Sequence, residues 1–219
     1  MDYDSEAIAD FLEEVEHEGH PKVYVSMKNG LAAIGTLPDS WQALREHEDV
    51  VDAVRQLWQP VAHRLPMTLA ALQRKLAGLA FLVTDSARPS LLYLFDEGRD
   101  LMARRGFWPL DKLPAPGDEL DTDLSRLYRI HDGWVNIFGA IGGPLPAQQW
   151  TVIGKAPGIK GFLQVYSNGS QSLGFDLDET PAKAFAMDTE DDTVEPVDEF
   201  WAELDDRLAR ALKAYPDAR

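Results

Sequence analysis

Apolar residues recur every three or four positions in several stretches of the chain, a spacing typical of amphipathic helices. The C-terminal stretch predicts a helix from about Pro196 to Tyr215. A second helix is predicted from Asp121 to Ile130, and a third over residues 5–18. The apolar positions of the C-terminal helix are Val197, Phe200, Trp201, Leu204, Leu208, Ala211, Leu212 and Tyr215.

Alternating apolar and polar residues predict strands, because successive side chains of a strand point to opposite faces. In "GFLQVYSNGSQSLGFDLD", two such runs flank Asn168-Gly169, a dipeptide that favours the tight turn of a hairpin. "AKAFAMD" adds a third strand, and Asn29-Gly30 predicts a smaller hairpin. The segment after Thr68, "LAALQRKLAGLAFLV", is apolar on nearly every side. It is either a buried helix or a helix that runs into a strand near residue 80.

The order of these elements predicts an α+β fold, with helices first, then a sheet, then a closing helix. We expect a central, mostly antiparallel sheet, a meander packed with helices, and a helical N-terminal extension. Residues 1–115 are predicted to form a mainly helical region with a small hairpin, packed on the rest of the protein. Residues 116–219 are predicted to form the α+β core.

The composition narrows the possible functions. Hydrophobic residues make up 45% of the 219 positions, which is enough to build a core. The absence of cysteine excludes disulfides, thiolate catalysis and cysteine-based metal sites. No apolar run reaches the roughly 20 residues that cross a bilayer, and the chain starts with acidic residues where a secretory signal is basic. We therefore expect a cytoplasmic protein that does not bind membranes.

The net charge of -16 argues against direct binding of nucleic acid, because phosphate contacts require clustered lysine and arginine. The acidic residues are also unevenly spread. Thirteen of them lie between Asp176 and Asp206, where Lys183 is the one base. Such a segment is either a solvated face that keeps the protein soluble or a surface that meets a basic partner.

The segment "LYRIHDGW", residues 127–134, is the best candidate for chemistry. One hypothesis is a hydrolase that uses His131 with a carboxylate. However, neighbouring side chains on a helix end point about 100° apart, so Asp132 is poorly placed to orient the ring of His131. We predict a structural role instead. Asp132-Gly133 ends the helix with glycine in a left-handed cap, His131 lies near the negative end of the helix dipole, and Trp134 packs on the core.

Other segments carry weaker signals. "SQSLG" lacks the first glycine of a serine-hydrolase nucleophile turn, and "FGAIGG" lacks the spacing of a phosphate-binding loop. Two histidines near residue 20 have no defined third ligand for a metal ion. We therefore predict no catalytic residue, no metal and no cofactor.

Four segments together resemble the SUKH superfamily, which includes fungal cell-wall assembly regulators and many bacterial immunity proteins. These segments are "LSRLYRIHDGW", "GGPLP", "FLQVYSNGSQSLGFDLD" and "VDEFWAELDDRLARAL". The resemblance covers roughly residues 120–212, and residues 1–115 are longer than the usual lead-in of the family. The residues that carry the family's helix-to-turn signature are Leu127, Tyr128, His131, Asp132, Gly133 and Trp134.

The resemblance implies a non-enzymatic domain that binds and neutralises a cognate toxin. A nuclease is the expected toxin, because a surface that holds phosphates is usually basic and an acidic protein can occupy it. We expect the protein to be a monomer or a weak homodimer. The predicted partner-binding acidic face consists of Asp176, Asp178, Glu179, Asp188, Glu190, Asp191 and Asp192. A housekeeping interaction scaffold is the alternative from the same family, and a hydrolase that uses His131 is the third hypothesis.

Overall fold

The computed structural model describes residues 22–24, 36–45, 49–84, 88–96, 101–137, 142–153, 159, 161–215 and 217. Within these residues the chain forms four α-helices: α1 (Val50–Leu57), α2 (Pro66–Lys75), α3 (Thr122–Ile130) and α4 (Phe200–Lys213). Helices α3 and α4 confirm the two predictions made for the second half of the chain. The predicted helix at 5–18 and the hairpin at Asn29-Gly30 lie outside the described residues.

The first sheet is an antiparallel meander in which neighbours along the chain are neighbours in space. Its strands pair in the order β1-β2-β3-β4-β5. Helix α2 is followed directly by β2, so the apolar segment after Thr68 is a helix that leads into a strand. The five strands are β1 (Lys22–Tyr24), β2 (Gly78–Val83), β3 (Ser90–Asp96), β4 (Leu101–Phe107) and β5 (Asp132–Asn136).

The second sheet contains six antiparallel strands in the order β11-β10-β9-β8-β6, and β7 also pairs with β8. The predicted hairpin around Asn168-Gly169 is the β8–β9 pair, and Gly169 has the positive φ of 101° that the turn requires. The strands are β6 (Gly143–Pro144), β7 (Thr151–Ile153), β8 (Phe162–Ser167), β9 (Gln171–Asp176), β10 (Lys183–Asp188) and β11 (Thr193–Val197).

The fold is α+β with antiparallel sheets, as the sequence predicts. It differs from the prediction in having two sheets where a single central one was expected. The five-stranded sheet takes strands from both sides of residue 115, and one core of buried apolar side chains runs from Leu37 to Tyr215. The division into two regions at that residue stays a prediction. No helix in the described part of the chain is long and apolar enough to span a membrane.

Asp205 joins α4 to α2. Its carboxylate is 2% exposed and accepts hydrogen bonds from the backbone amides of Met67 (2.8 Å) and Thr68 (2.7 Å) in the first turn of α2. These amides have no partner within their own helix, so the carboxylate acts as an N-cap supplied by a residue distant in sequence. Although Asp205 belongs to the acidic segment, it therefore has a structural role.

Replacing Asp205 with alanine should lower the free energy of unfolding by about 2 to 3 kcal/mol, because two amides lose their acceptor. Asp205→Asn should cost less, since its side-chain oxygen can still accept a hydrogen bond. Denaturant titration of the three proteins measures both differences. Equal stability of the alanine variant and the wild type would show that the cap contributes nothing.

Candidate partner-binding surface

The segment "LYRIHDGW" passes from a helix directly into a strand. Helix α3 ends at Ile130, whose carbonyl oxygen accepts a hydrogen bond from the indole Nε1 of Trp41 at 2.7 Å. His131 is extended, with φ of -162°, and Asp132 begins β5. The prediction that Gly133 caps the helix is therefore wrong. Gly133 does have a positive φ of 69°, but it lies in β5.

Close contact with the next segment explains the glycine at position 133. A Cβ at this position would lie 2.5 Å from the backbone nitrogen of Pro146. A larger residue would therefore have to displace Pro146 in addition to adopting an unfavourable backbone conformation. Glycine at position 133 therefore allows the backbone of β5 to lie close to the backbone at Pro146.

His131 is enclosed by aromatic rings and is 1% exposed. The rings of Trp58, Tyr93 and Trp134 lie between 5.4 and 6.4 Å from its own, measured between centroids. Its Nδ1 lies 2.6 Å from the carbonyl oxygen of Gly133, and since a carbonyl only accepts, Nδ1 carries the proton. Burial lowers the pKa of His131 to about 4, so the ring is neutral at pH 7.

Asp132 makes its contacts elsewhere. Its Oδ1 accepts a hydrogen bond from the backbone amide of Ala147 at 2.7 Å, and the residue is 9% exposed. Burial raises the pKa of Asp132 to about 6. The side chains of His131 and Asp132 each bind a different backbone group. The two residues thus do not form the hydrogen-bonded pair that a catalytic base requires.

The opposite pKa shifts of His131 and Asp132 have opposite effects on stability. The unfolded state takes up a proton at His131 as the pH falls below 6.5, whereas the folded state does so only near 4, so stability is lost on acidification. For Asp132 the folded state takes up the proton first, near pH 6 against 3.8 for the unfolded state, so stability is gained. Between pH 6 and 4 the two contributions largely cancel.

In the Asp132→Asn variant, the stability that His131 loses on acidification should no longer be offset by Asp132. Relative to the wild type, the variant should lose roughly 2 to 3 kcal/mol of unfolding free energy between pH 7 and pH 4. Asparagine keeps an oxygen that can accept from the amide of Ala147. Denaturant titrations at the two pH values check this result, and a carboxyl titration of Asp132 by NMR should have its midpoint near pH 6. If the difference in unfolding free energy between the two proteins were the same at pH 7 and pH 4, the prediction would be contradicted.

The rest of the signature joins the two sheets. The hydroxyl of Tyr128 donates to the carbonyl oxygen of Leu145 at 2.6 Å, just after β6. The guanidinium of Arg104 in β4 lies 4.4 Å above the ring of Trp134 and donates to the carbonyl oxygens of Trp134, at 3.1 Å, and Gly142. The signature residues are all buried, as a structural role predicts: Leu127, Tyr128, His131, Asp132, Gly133 and Trp134.

The predicted acidic face is divided into two clusters by strand β10. Asp176 pairs with Lys183 at one end of the strand, and Asp188 pairs with Gln171 at the other. Five residue steps separate these ends, or about 17 Å at the usual rise of a strand. The seven acids predicted to form one face therefore lie in two separate places on the protein.

In the first cluster most of the charge is engaged within the protein. Asp176 is 8% exposed, and its Oδ1 accepts from the backbone amide of Asp178 at 3.0 Å. Glu179 pairs with Lys183 at 3.4 Å. Asp176 therefore shapes the β9–β10 connection, and we leave it out of the candidate surface.

The second cluster is a turn that presents carboxylates to solvent. Asp188 holds the turn, because its Oδ1 accepts from the backbone amide of Glu190 at 2.9 Å and its Oδ2 from the side chain of Gln171 at 3.1 Å. These hydrogen bonds lower the pKa of Asp188 and keep it ionised. We call Glu190, Asp191 and Asp192 the acidic tip. All three are exposed, and within the described residues none of them forms an ion pair with a base.

The acidic tip continues into β11, the edge strand of the second sheet. An edge strand leaves one row of backbone groups without a neighbouring strand, and Pro196 within β11 limits pairing with another chain. The partner-binding face predicted from the sequence does not include the further acids of this segment. The exposed acids on and just after β11 are Glu195, Asp198 and Glu199.

Among the described residues, no group of three or more histidine, aspartate or glutamate side chains could hold a metal ion. Comparisons of the chain with protein-family models, with curated proteins and with solved structures gave no match. Function is therefore inferred from the geometry and charge of the surface itself.

Proposed function

We propose that the protein is an immunity protein that binds a basic toxin through the acidic tip and neutralises it without catalysis. The resemblance of residues 120–212 to the SUKH superfamily supports this class of function. A toxin of the nuclease type fits the charge, because its phosphate-binding site must be basic. The protein acts in the cytoplasm, where it protects the cell that makes it.

The observation that carries the proposal is the geometry of the acidic tip. Three adjacent carboxylates project from one turn, and the hydrogen bonds of Asp188 fix the backbone beneath them. A fixed turn loses little conformational freedom on binding, so more of the electrostatic attraction becomes affinity. A flexible acidic tail that only kept the protein soluble would not need such bonds.

The charge of the whole chain adds to this local attraction. A net charge of -16 attracts a basic partner over distances of about a Debye length and increases the rate of encounter. Contacts at the acidic tip then orient the complex. A stable interface of this kind buries on the order of 1,600 Å² in total, so it extends beyond the tip onto neighbouring residues of β11.

Affinity capture tests the proposal. The tagged protein is incubated with lysate of the organism that encodes it, and bound proteins are identified by mass spectrometry after washing at moderate salt. The matched bait carries Glu190→Lys, Asp191→Lys and Asp192→Lys. We expect one dominant basic partner on the wild-type bait, at a ratio near one to one, and its loss from the variant.

Two results would count against the proposal. Several weak partners that bind both baits equally would indicate an interaction scaffold, the alternative function in the same superfamily. A dominant partner that is acidic, or that binds both baits equally, would exclude the acidic tip as the binding surface.

A further inference from the structure

The two faces of the second sheet have different surroundings. On the inner face, Phe175 packs against Phe200 of α4, with 4.6 Å between the ring centroids. The register of the strands places Phe162, Phe185 and Met187 on the opposite face, which we call the outer face. Among the described residues, the apolar cluster on the outer face contains no residue of a helix.

The outer face is less polar than the solvent side of a sheet usually is. An antiparallel sheet that is packed on one side typically carries polar residues on the other. Strands β8 and β9 follow this rule in part, since Nε2 of Gln164 donates to the hydroxyl of Ser172 at 2.5 Å on this face. Strands β10 and β11 carry apolar residues there instead, and these strands lie at the edge of the sheet.

Three apolar residues of the outer face are open to solvent. Pro196 is exposed, and Phe185 and Val194 are half-buried. Phe185 pairs with Pro196, and Met187 pairs with Val194 at the next position of the same face, so these side chains are neighbours. We call Phe185, Val194 and Pro196 the apolar strip.

The apolar strip is continuous with the acidic tip. The pair of Asp188 and Thr193 closes the turn that carries the tip. The pair of Met187 and Val194 follows one residue step further along the strands, or about 3.3 Å. A protein that contacts the acidic tip therefore lies beside the strip as well.

Charge indicates which molecule covers the strip. Two copies of a chain with a net charge of -16 repel each other, which disfavours a second copy of this protein. A basic partner is instead attracted to this place by the carboxylates of the acidic tip. An apolar centre beside charged groups is also the usual composition of an interface between two proteins.

We propose that the basic partner of the acidic tip also docks on the apolar strip, through an apolar side chain that lies between its lysine or arginine residues. This inference rests on the proposed function and adds the chemistry of the partner's surface. The basic residues face the acidic tip, and the apolar side chain packs on Phe185 and Val194. A stable complex needs about 800 Å² on each protein, more than three carboxylates supply, and the strip provides the apolar part.

Surface plasmon resonance with the purified partner, as identified on the wild-type bait, tests the role of the strip. Val194→Gln places an amide in the strip and should raise the Kd about fivefold, mainly through faster dissociation. Phe185→Ala truncates the larger side chain and should raise the Kd about tenfold. Because Phe185 also packs within the sheet, the argument depends on Val194→Gln if Phe185→Ala fails to fold.

Val152→Gln is the matched control. Val152 is 55% exposed and belongs to β7 of the same sheet, but it pairs with Leu163 and therefore lies on the inner face. The same substitution at this position should leave the Kd unchanged. Thermal unfolding of each variant shows that the compared proteins are folded.

Salt separates the contribution of the strip from that of the acidic tip. Screening weakens the attraction between exposed charges but has little effect on the burial of apolar surface. The effect of Val194→Gln on the Kd should therefore be the same at about 50 mM and about 500 mM sodium chloride. The effect of the triple variant of the acidic tip should shrink at the higher concentration.

The outcomes distinguish this inference from the proposed function. If the acidic-tip variant loses the partner while Val194→Gln and Val152→Gln both bind it like the wild type, the strip is not an interface and the proposed function stands. If sedimentation of the purified protein shows a dimer that Val194→Gln dissociates, a second copy covers the strip and the inference is overturned. If the wild-type bait captures no basic partner, both proposals are wrong.

Discussion

Replacing His131 with alanine should lower the free energy of unfolding by about 3 kcal/mol. The substitution removes a ring that is 1% exposed and leaves a cavity among Trp58, Tyr93 and Trp134. It also deprives the carbonyl oxygen of Gly133 of its hydrogen bond from Nδ1. Denaturant titration monitored by tryptophan fluorescence measures the loss.

His63→Ala is the matched control, because the side chain of His63 is 56% exposed, and its buried partner Asp123 keeps ion pairs with Arg64 and Arg126. Since Asp123 does not lose its other partners, we expect a change below about 0.5 kcal/mol. If the stability of His131→Ala instead matched that of the wild type, the structural role assigned to "LYRIHDGW" would be wrong.

The destabilisation caused by His131→Ala should also depend on pH in a defined direction. The wild type keeps His131 neutral down to a pKa of about 4, so it loses the stability that the neutral ring provides as the pH falls below 6.5. The alanine variant has no such group to lose. The difference between the two proteins should therefore be largest above pH 6.5 and should shrink by roughly 3 kcal/mol as the pH approaches 4.

Reversing the charge of the acidic tip should weaken binding of the partner by about 100-fold or more, which corresponds to about 2.7 kcal/mol. In the triple variant Glu190→Lys, Asp191→Lys and Asp192→Lys, the three carboxylates that we propose to face a basic surface become positive charges. Like charges brought together in an interface cost several kcal/mol. Asp188 is left unchanged because its hydrogen bonds hold the turn.

A second triple variant controls for the change in net charge. Asp39→Lys, Asp111→Lys and Glu119→Lys alter exposed positions that are not part of the second sheet and add the same total charge. This variant should bind with a Kd within about threefold of the wild type, mainly through a slower association rate. Surface plasmon resonance separates the two rate constants. Equal weakening of binding in both triple variants would mean that long-range attraction, and not contact at the acidic tip, governs the complex.

The sequence predicts those elements whose pattern is complete within a single segment. Helix α3 and the β8–β9 hairpin were found in this way, because their apolar spacing and turn residues are local signals. Helix α4 begins at Phe200, later than predicted. Pro196 and Val197 pair instead with Phe185 and Ala184 of β10, a partner that lies more than ten residues earlier in the chain.

The first sheet could not be inferred from periodicity because its central strands are covered on both faces. In β3 the residues from Leu91 to Phe95 are all fully buried, so the strand has no alternation of polar and apolar positions. A continuous apolar run of this kind fits a buried strand or a buried helix equally well. Pairing with neighbouring strands distinguishes the two, but it joins residues that are distant in sequence.

The candidate sites depended even more strongly on the fold. The acidic residues are close in sequence, yet β10 separates them, and the hydrogen bonds of Asp176 and Asp205 assign these two to structural roles. In "ARRGF" of β4, two adjacent arginines lie in a strand, so their side chains point to opposite faces of the sheet.

An inhibition titration of the captured partner tests the central claim most directly. The partner's activity, cleavage of DNA or RNA for a nuclease, is measured while the purified protein is added in known proportions. A neutralising protein predicts that activity falls linearly and reaches zero at one equivalent, and that the acidic-tip variant inhibits only at much higher concentration. A partner that stays fully active when saturated with the wild-type protein would contradict the proposed function.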